Sequence, residues 1–161
     1  MNHAYFPTVF NIGMSSSAAA QEKKQAEMSV LLSNQDWDLL LEKAETRLYQ
    51  PGEVILKMGE NPQAMYLVDK GQVRVEQRPG RALASHGSGA VFGEMSFLQG
   101  KGASASVIAE DNVEVRVMHF MHVNGLLNSV PGLATRFYQT LAVTLAHRLQ
   151  KASDLFSQNS S

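Results

Sequence analysis

Between residues 53 and 117 the chain repeatedly places a short apolar or β-branched run between turn residues, and no other feature restricts its fold as much. Glu53-Val54-Ile55-Leu56-Lys57 follows Pro51-Gly52, and Met65-Tyr66-Leu67-Val68 lies between Gly59-Glu60-Asn61-Pro62 and Lys70-Gly71. Gln72-Val73-Arg74-Val75-Glu76 alternates polar and apolar residues, as an antiparallel strand with one buried face does, and Pro79-Gly80 turns the chain after it. Ser106-Val107-Ile108-Ala109 and Val113-Glu114-Val115-Arg116-Val117 repeat the pattern on either side of Asp111-Asn112. β-Branched side chains favour extended backbone, and Gly and Pro interrupt it at intervals of roughly 8–12 residues. The pattern predicts an antiparallel sandwich or jelly roll.

Helical patterns flank this region. Ser33 is a good N-cap, with Asp36 three residues on and Trp37, Leu40 and Leu41 on one face, which predicts a helix over about 34–43 with Trp37 in the core. Val123 to Val130 is a short helix candidate, and Pro131 suits the first turn of a second helix because no N–H is needed there. Leu133, Phe137, Leu141, Leu145 and Leu149 then recur every four residues, with Ala152 and Phe156 beyond, along a helix of about six or seven turns. That stripe exceeds what one small roll covers, so self-association through Leu133 to Phe156 is expected. Its spacing drifts around the helix, so a simple coiled coil is not implied. The expected class is α+β, mainly β. The expected organisation is an N-terminal tail over 1–29, partly disordered or helical from Ser15 to Lys24, a domain over 30–156 and a polar end over 157–161.

Composition narrows the function classes. The chain has 161 residues, enough for one domain with a core, and a net charge of −1, which argues against broad electrostatic binding to nucleic acid or anionic lipid. The absence of cysteine excludes disulfides and thiolate zinc sites and fits a cytoplasmic location. No apolar run approaches the ~20 residues of a membrane span, and Met1 to Ala20 lacks the pattern of a signal peptide. His119 and His122 are spaced for one helix face with His86 far away in sequence, and they read as surface or hydrogen-bonded histidines without a metal. Gly100-Lys101-Gly102 is not a Walker A loop, since Gly102 stands where Ser or Thr is required, and reads as a surface turn. Arg74, Arg78 and Arg81 cluster around a solvated hairpin tip. No nucleophile–base–orienter set is present, so neither catalysis nor a cofactor is expected.

The order of these marks resembles the cyclic nucleotide-binding domain superfamily of the catabolite activator, protein kinase A regulatory subunit and cyclic-nucleotide-gated channels. The matching residues are Pro51-Gly52, Gly59-Glu60, Met65 to Gly71, Phe92-Gly93-Glu94-Met95-Ser96-Phe97-Leu98 and Ala103-Ser104-Ala105-Ser106-Val107. The resemblance implies an antiparallel β-roll with an N-terminal helix, a short helix within the roll and a long C-terminal helix. It implies a ligand site over Phe92, Gly93, Glu94, Met95, Ser96, Ala103, Ser104 and Ala105. Glu94 matches a carboxylate that accepts from a ribose 2′-hydroxyl, and Ser104 a residue that donates to a phosphate oxygen. Gly93 lets backbone approach the ligand, and the short helix beginning near Glu94 presents N–H groups to an anion. The position usually held by a phosphate-neutralising arginine is Ala103. Lys101, or Arg81, is a conceivable substitute cation. Arg148 to Ser153 resembles the stretch near which some members touch the purine, with Ser153 the candidate.

Two functions follow as expectations. In one, the chain is a regulatory module that binds cAMP, cGMP or a related phosphate ligand and signals through the long helix to an unknown effector. In the other, Ala103 marks lost phosphate recognition and the chain is a ligand-free dimerisation or protein-interaction module. The family's transcription factors carry a helix-turn-helix after the long helix, and Ser157 to Ser161 is too short for one, so direct DNA binding by this chain is not expected.

Overall fold

The computed structural model describes residues 31–160. The tail and the helix start read at Ser15 to Lys24 lie outside the described residues. The element order is α1 (Asn34–Leu41), β1 (Glu45–Tyr49), β2 (Val54–Leu56), β3 (Ala64–Lys70), β4 (Val73–Arg78), β5 (Arg81–His86), β6 (Val91–Phe92), α2 (Glu94–Gln99), β7 (Ser106–Ala109), β8 (Val113–His119), α3 (Phe120–Ser129) and α4 (Leu133–Gln158). The strands form two antiparallel four-stranded sheets, ordered β1-β8-β3-β6 and β2-β7-β4-β5. The expected β-roll with an N-terminal helix, an internal short helix and a long C-terminal helix is the observed architecture.

Strand periodicity divides the core in two. Along β3, Ala64, Tyr66 and Val68 face the interior of the roll, while Met65 and Leu67 face the helices. Val113, Val115 and Val117 of β8 join the roll interior, and Met118 joins the helical side. Strand β3 is therefore buried on both faces from Ala64 to Val68, which is why it reads as a continuous apolar run, whereas β8 keeps half-buried Glu114 and Arg116 on its second face. The helical cluster gathers Trp37, Leu40 and Leu41 of α1, Phe120 and Val123 of α3, and Leu133, Phe137 and Leu141 of α4.

Local sequence explains the helix ends. Ser33 Oγ accepts from Asp36 N at 3.1 Å and the Asp36 carboxylate accepts from Ser33 N at 2.9 Å, completing the capping box of α1. Asp36 also receives Arg136 of α4 in a two-pronged pair at 2.7 and 2.8 Å, tying the first helix to the last. The Arg136 hydrogen bonds hold the Asp36 carboxyl below its ordinary range against the opposing effect of burial.

Several expectations need correction. The first helix ends at Leu41, two residues before Lys43. Pro131 does not begin the long helix. Gly132 caps it in a left-handed conformation (φ 76°), and the helix starts at Leu133. Ser157 and Gln158, expected in the polar end, belong to α4. β1 and β5 were not legible as strands, because neither shows an apolar alternation. Among the described residues no helix is long and apolar enough to cross a membrane.

Candidate functional site

A cavity of about 640 Å³ lies between the interior of the roll and the distal half of α4. Its wall brings together eight of the expected residues: Phe92, Gly93, Glu94, Met95, Ser96, Ala103, Ser104 and Ala105. They come from the β6–α2 junction and from the segment leading into β7, adjacent because both segments lie against the strands of the roll. Leu56, Val75, Leu83 and Val107 extend the wall with apolar surface, and Leu145, Arg148, Lys151, Ala152 and Leu155 close it from α4.

Glu94 is the first residue of α2 and is buried. Arg148 of α4 pairs with its Oε1, and Arg148 Nη2 also donates to the Val91 carbonyl at 3.2 Å. A buried carboxylate is costly unless paired and hydrogen-bonded, and here the partner is supplied by the long helix. The Glu94–Arg148 pair therefore connects the roll to α4 along the cavity wall. The family resemblance places Arg148 only within a stretch near the ligand. Its pairing with a residue 54 positions away has no local sequence signal.

Gly93 has φ 88°, and a Cβ placed on it would lie 2.6 Å from the Ala64 carbonyl oxygen and 3.3 Å from Met65 Cα. The glycine is thus required by the close approach of β3, in addition to any approach of a ligand. It caps α2 without a side-chain hydrogen bond.

Ala103 is buried in the roll cluster with its methyl group on the cavity wall. Its backbone is fixed on both sides: Ala103 N donates to Glu60 O and Gly59 N donates to Ala103 O, each at 2.8 Å. Gly102 packs so tightly on Gly59 that an added Cβ would collide with the Gly59 carbonyl. The Gly100–Gly102 turn is therefore clamped to the β2–β3 loop. Ser106 uses its hydroxyl to accept from Met58 N at 2.9 Å, whereas among the described residues the Ser104 hydroxyl makes no hydrogen bond and lines the cavity.

Lys101 and Ser153 are not part of the cavity wall. Lys101 is exposed on the outside of the clamped turn. Ser153 is exposed because a helix advances about 100° per residue. Leu145, Arg148, Lys151, Ala152 and Leu155 share the face that meets the cavity, and Ser153 lies one step past Ala152, facing solvent. Arg81 at the hairpin tip is also exposed and outside the wall.

The histidines divide by environment. His119 Nε2 lies 3.0 Å from Glu45 Oε1, and that hydrogen bond, followed by one from Arg47, holds the Glu45 carboxyl below its ordinary range. His122 Nε2 donates to the Leu39 carbonyl at 3.1 Å. His86 lines the cavity, its ring edge-on to Phe92 with centroids 5.8 Å apart. Among the described residues no group of three or more His, Asp or Glu is placed to hold a metal ion.

The sequence pattern of the family described as cyclic nucleotide-binding domain matches residues 46–129, just over half of the chain. Over 125 residues, 75% of this chain, the sequence is 35% identical to the cyclic AMP receptor protein of Thermus thermophilus. It is 30% identical over 123 residues, 74% of this chain, to cyclic GMP-binding protein C of Dictyostelium discoideum. The chain spans 56% of the first of these proteins and 5% of the second. The crystal structure of the Thermus thermophilus catabolite activator protein superposes with a TM-score of 0.66 at 34% identity, covering 83% of this chain and 62% of that one.

Proposed function

This chain belongs to the cyclic nucleotide-binding domain family, and on that premise we propose that it is a regulatory ligand-sensing module whose long helix reports occupancy of the roll. The observation that carries the reading is the Glu94–Arg148 pair. A ligand hydroxyl that hydrogen-bonds Glu94 engages a carboxylate already shared with α4. Ligand binding then favours some positions of α4 over others, and that differential affinity is the signal. Ser104 donates to a phosphate oxygen, Phe92, Leu145 and Leu155 enclose the apolar face of the ligand, and α4 passes the change to an effector. The similar proteins named above are receptors and binding proteins, and no catalytic step is proposed.

Calorimetric titration of the full chain with cAMP and cGMP tests this reading. Saturable heat is expected with at least one of them, and Glu94→Gln should weaken it by about ten-fold or more through loss of a charged acceptor. The absence of heat from both at millimolar concentration refutes the proposal.

A second reading has its own observations. Ala103 places a methyl group where a phosphate-binding cation is expected, and Leu149 and Phe156 are exposed on α4. A ligand-free dimerisation module would give no heat with either nucleotide and a dimer mass by light scattering, with Phe156→Ser reducing that mass to a monomer's.

A further inference from the structure

Resting on the cavity as a cyclic nucleotide site, we infer that the Ser96 hydroxyl is a second phosphate donor, so that Ser96 and Ser104 hold the two exocyclic oxygens of the cyclic phosphate between them. The inference comes from the hydrogen bonds of the buried polar groups. The described residues include six buried polar or charged side chains: Asp36, Glu76, Glu94, Ser96, Thr140 and Thr144. Five are satisfied within the protein. Asp36 pairs with Arg136, Glu76 with Arg74 at 2.7 Å and Glu94 with Arg148. Thr140 and Thr144 donate at 2.8 Å to the carbonyls of Arg136 and Thr140. Ser96 is the exception. It is 4% exposed, and among the described residues its hydroxyl makes no hydrogen bond. A buried hydroxyl without a partner is unfavourable, and native folds rarely leave one so. Ser96 lines the cavity, where a ligand supplies the partner.

The ligand group follows from the chemistry of the wall. Glu94 is the first residue of α2 and Ser96 the third. Two residues advance a helix by about 200°, so the two side chains reach the cavity from different sides of the first turn and meet different groups of the ligand. A phosphodiester offers acceptors only, which suits a hydroxyl whose proton is uncommitted. Its two exocyclic oxygens match the two unpaired hydroxyls of the wall, Ser96 from α2 and Ser104 from the segment leading into β7. Ser85, the remaining serine of the wall, already donates to Glu110 Oε2 at 3.0 Å. The Ala103 side chain ends in a methyl group and donates nothing. Two neutral hydroxyls thereby take the place of the paired N–H groups of a guanidinium, each with a weaker bond than a charged donor would make.

The test is calorimetry on the full chain with cAMP and cGMP, then with the Rp and Sp phosphorothioates of whichever binds more tightly. Ser96→Ala should weaken that nucleotide by about three- to ten-fold, the loss of one neutral hydrogen bond. Sulfur is a weak acceptor, so for the diastereomer whose sulfur faces Ser96 the same substitution should change affinity by less than about two-fold. The other diastereomer should keep the full loss. Ser104→Ala should show the opposite preference. Without nucleotide, Ser96→Ala should melt no lower than the wild type, because among the described residues the hydroxyl it removes makes no hydrogen bond. Wild-type affinity in Ser96→Ala, equal losses for both diastereomers, or a lower Tm without nucleotide overturns this inference and leaves the sensing function standing. Failure of the wild type to bind either nucleotide overturns both.

Discussion

Replacing Gly93 by alanine separates a requirement of the fold from a requirement of the ligand. Two costs fall on the folded state. At φ 88° an L-residue bears a conformational penalty of about 1–2 kcal/mol. The new Cβ would also sit 2.6 Å from the Ala64 carbonyl oxygen, and β3 cannot easily recede because it is paired with both β8 and β6. Overpacking of this kind adds about 1–2 kcal/mol. Gly100, at the opposite end of α2, provides the control: its φ is 66°, but nothing lies within 4 Å of an added Cβ. Gly93→Ala should therefore lose about 2–4 kcal/mol and Gly100→Ala about 1–2 kcal/mol. For a domain of this size each kcal/mol is about 3 °C in Tm, giving drops of about 6–12 °C and about 3–6 °C. Thermal melts followed by circular dichroism, with urea titrations at neutral pH, measure both. Equal drops would refute the contact with β3. An unchanged Tm in Gly93→Ala together with lost nucleotide binding would assign the glycine to the ligand instead.

Asp36→Asn should cost about 2 kcal/mol at neutral pH, because it breaks a charged pair with Arg136 and weakens the capping box. The Asp36 pKa is depressed in the folded state, so its stabilisation is present above the ordinary carboxylate value and is lost as pH falls through the depressed native one. The gap in urea midpoint between wild type and Asp36→Asn should accordingly shrink as the pH is lowered below about 4. Ser33→Ala should cost about 1 kcal/mol by removing the N-cap acceptor of α1, read by the same titration. Leu133→Ala, at a fully buried position, should cost about 2–5 kcal/mol, whereas Phe156→Ser, 77% exposed on the same helix, should cost less than about 0.5 kcal/mol. A large loss from Phe156→Ser would show that the end of α4 is buried in an assembly.

The fold was legible where one local rule acted alone. Ser33 and Asp36 form their capping box within four residues, and the alternation of Val73 and Val75 holds whatever their partners are. Glu45 to Tyr49 failed that test. Only Tyr49 is even partly buried there, and the segment is a strand because β8 pairs with it along its length. Arg81 to His86 is likewise held by β4, through an irregular register. At the site, the segments 92–96 and 103–105 were legible as a resemblance, and their convergence on one cavity is a property of the roll. The contribution of α4 was harder to place. Whether Ala152 or Ser153 faces the cavity depends on a single step of helical rotation, and the leucine spacing alone does not set it. A charged residue such as Arg148 on a helix ordinarily reads as solvated, and only the return of α4 over α2 brings it to Glu94.

The two halves of α4 make it a lever with its fulcrum in the helical core. Leu133, Phe137, Thr140, Leu141 and Thr144 are buried, while Leu149 and Phe156 are exposed. From Thr144 to Gln158 the arm beyond the fulcrum is about 21 Å long at 1.5 Å per residue. Arg148 lies four residues from the fulcrum, about 6 Å along that arm. A tilt of about 10° displaces Arg148 by about 1 Å, enough to disrupt a hydrogen bond, and carries the Gln158 end through nearly 4 Å at the same rise per residue. The arm magnifies displacement by about three and a half times. By the same ratio, a load applied at the tip acts on the Glu94 contact with mechanical advantage, so an effector gripping the end of α4 would set how readily the cavity fills.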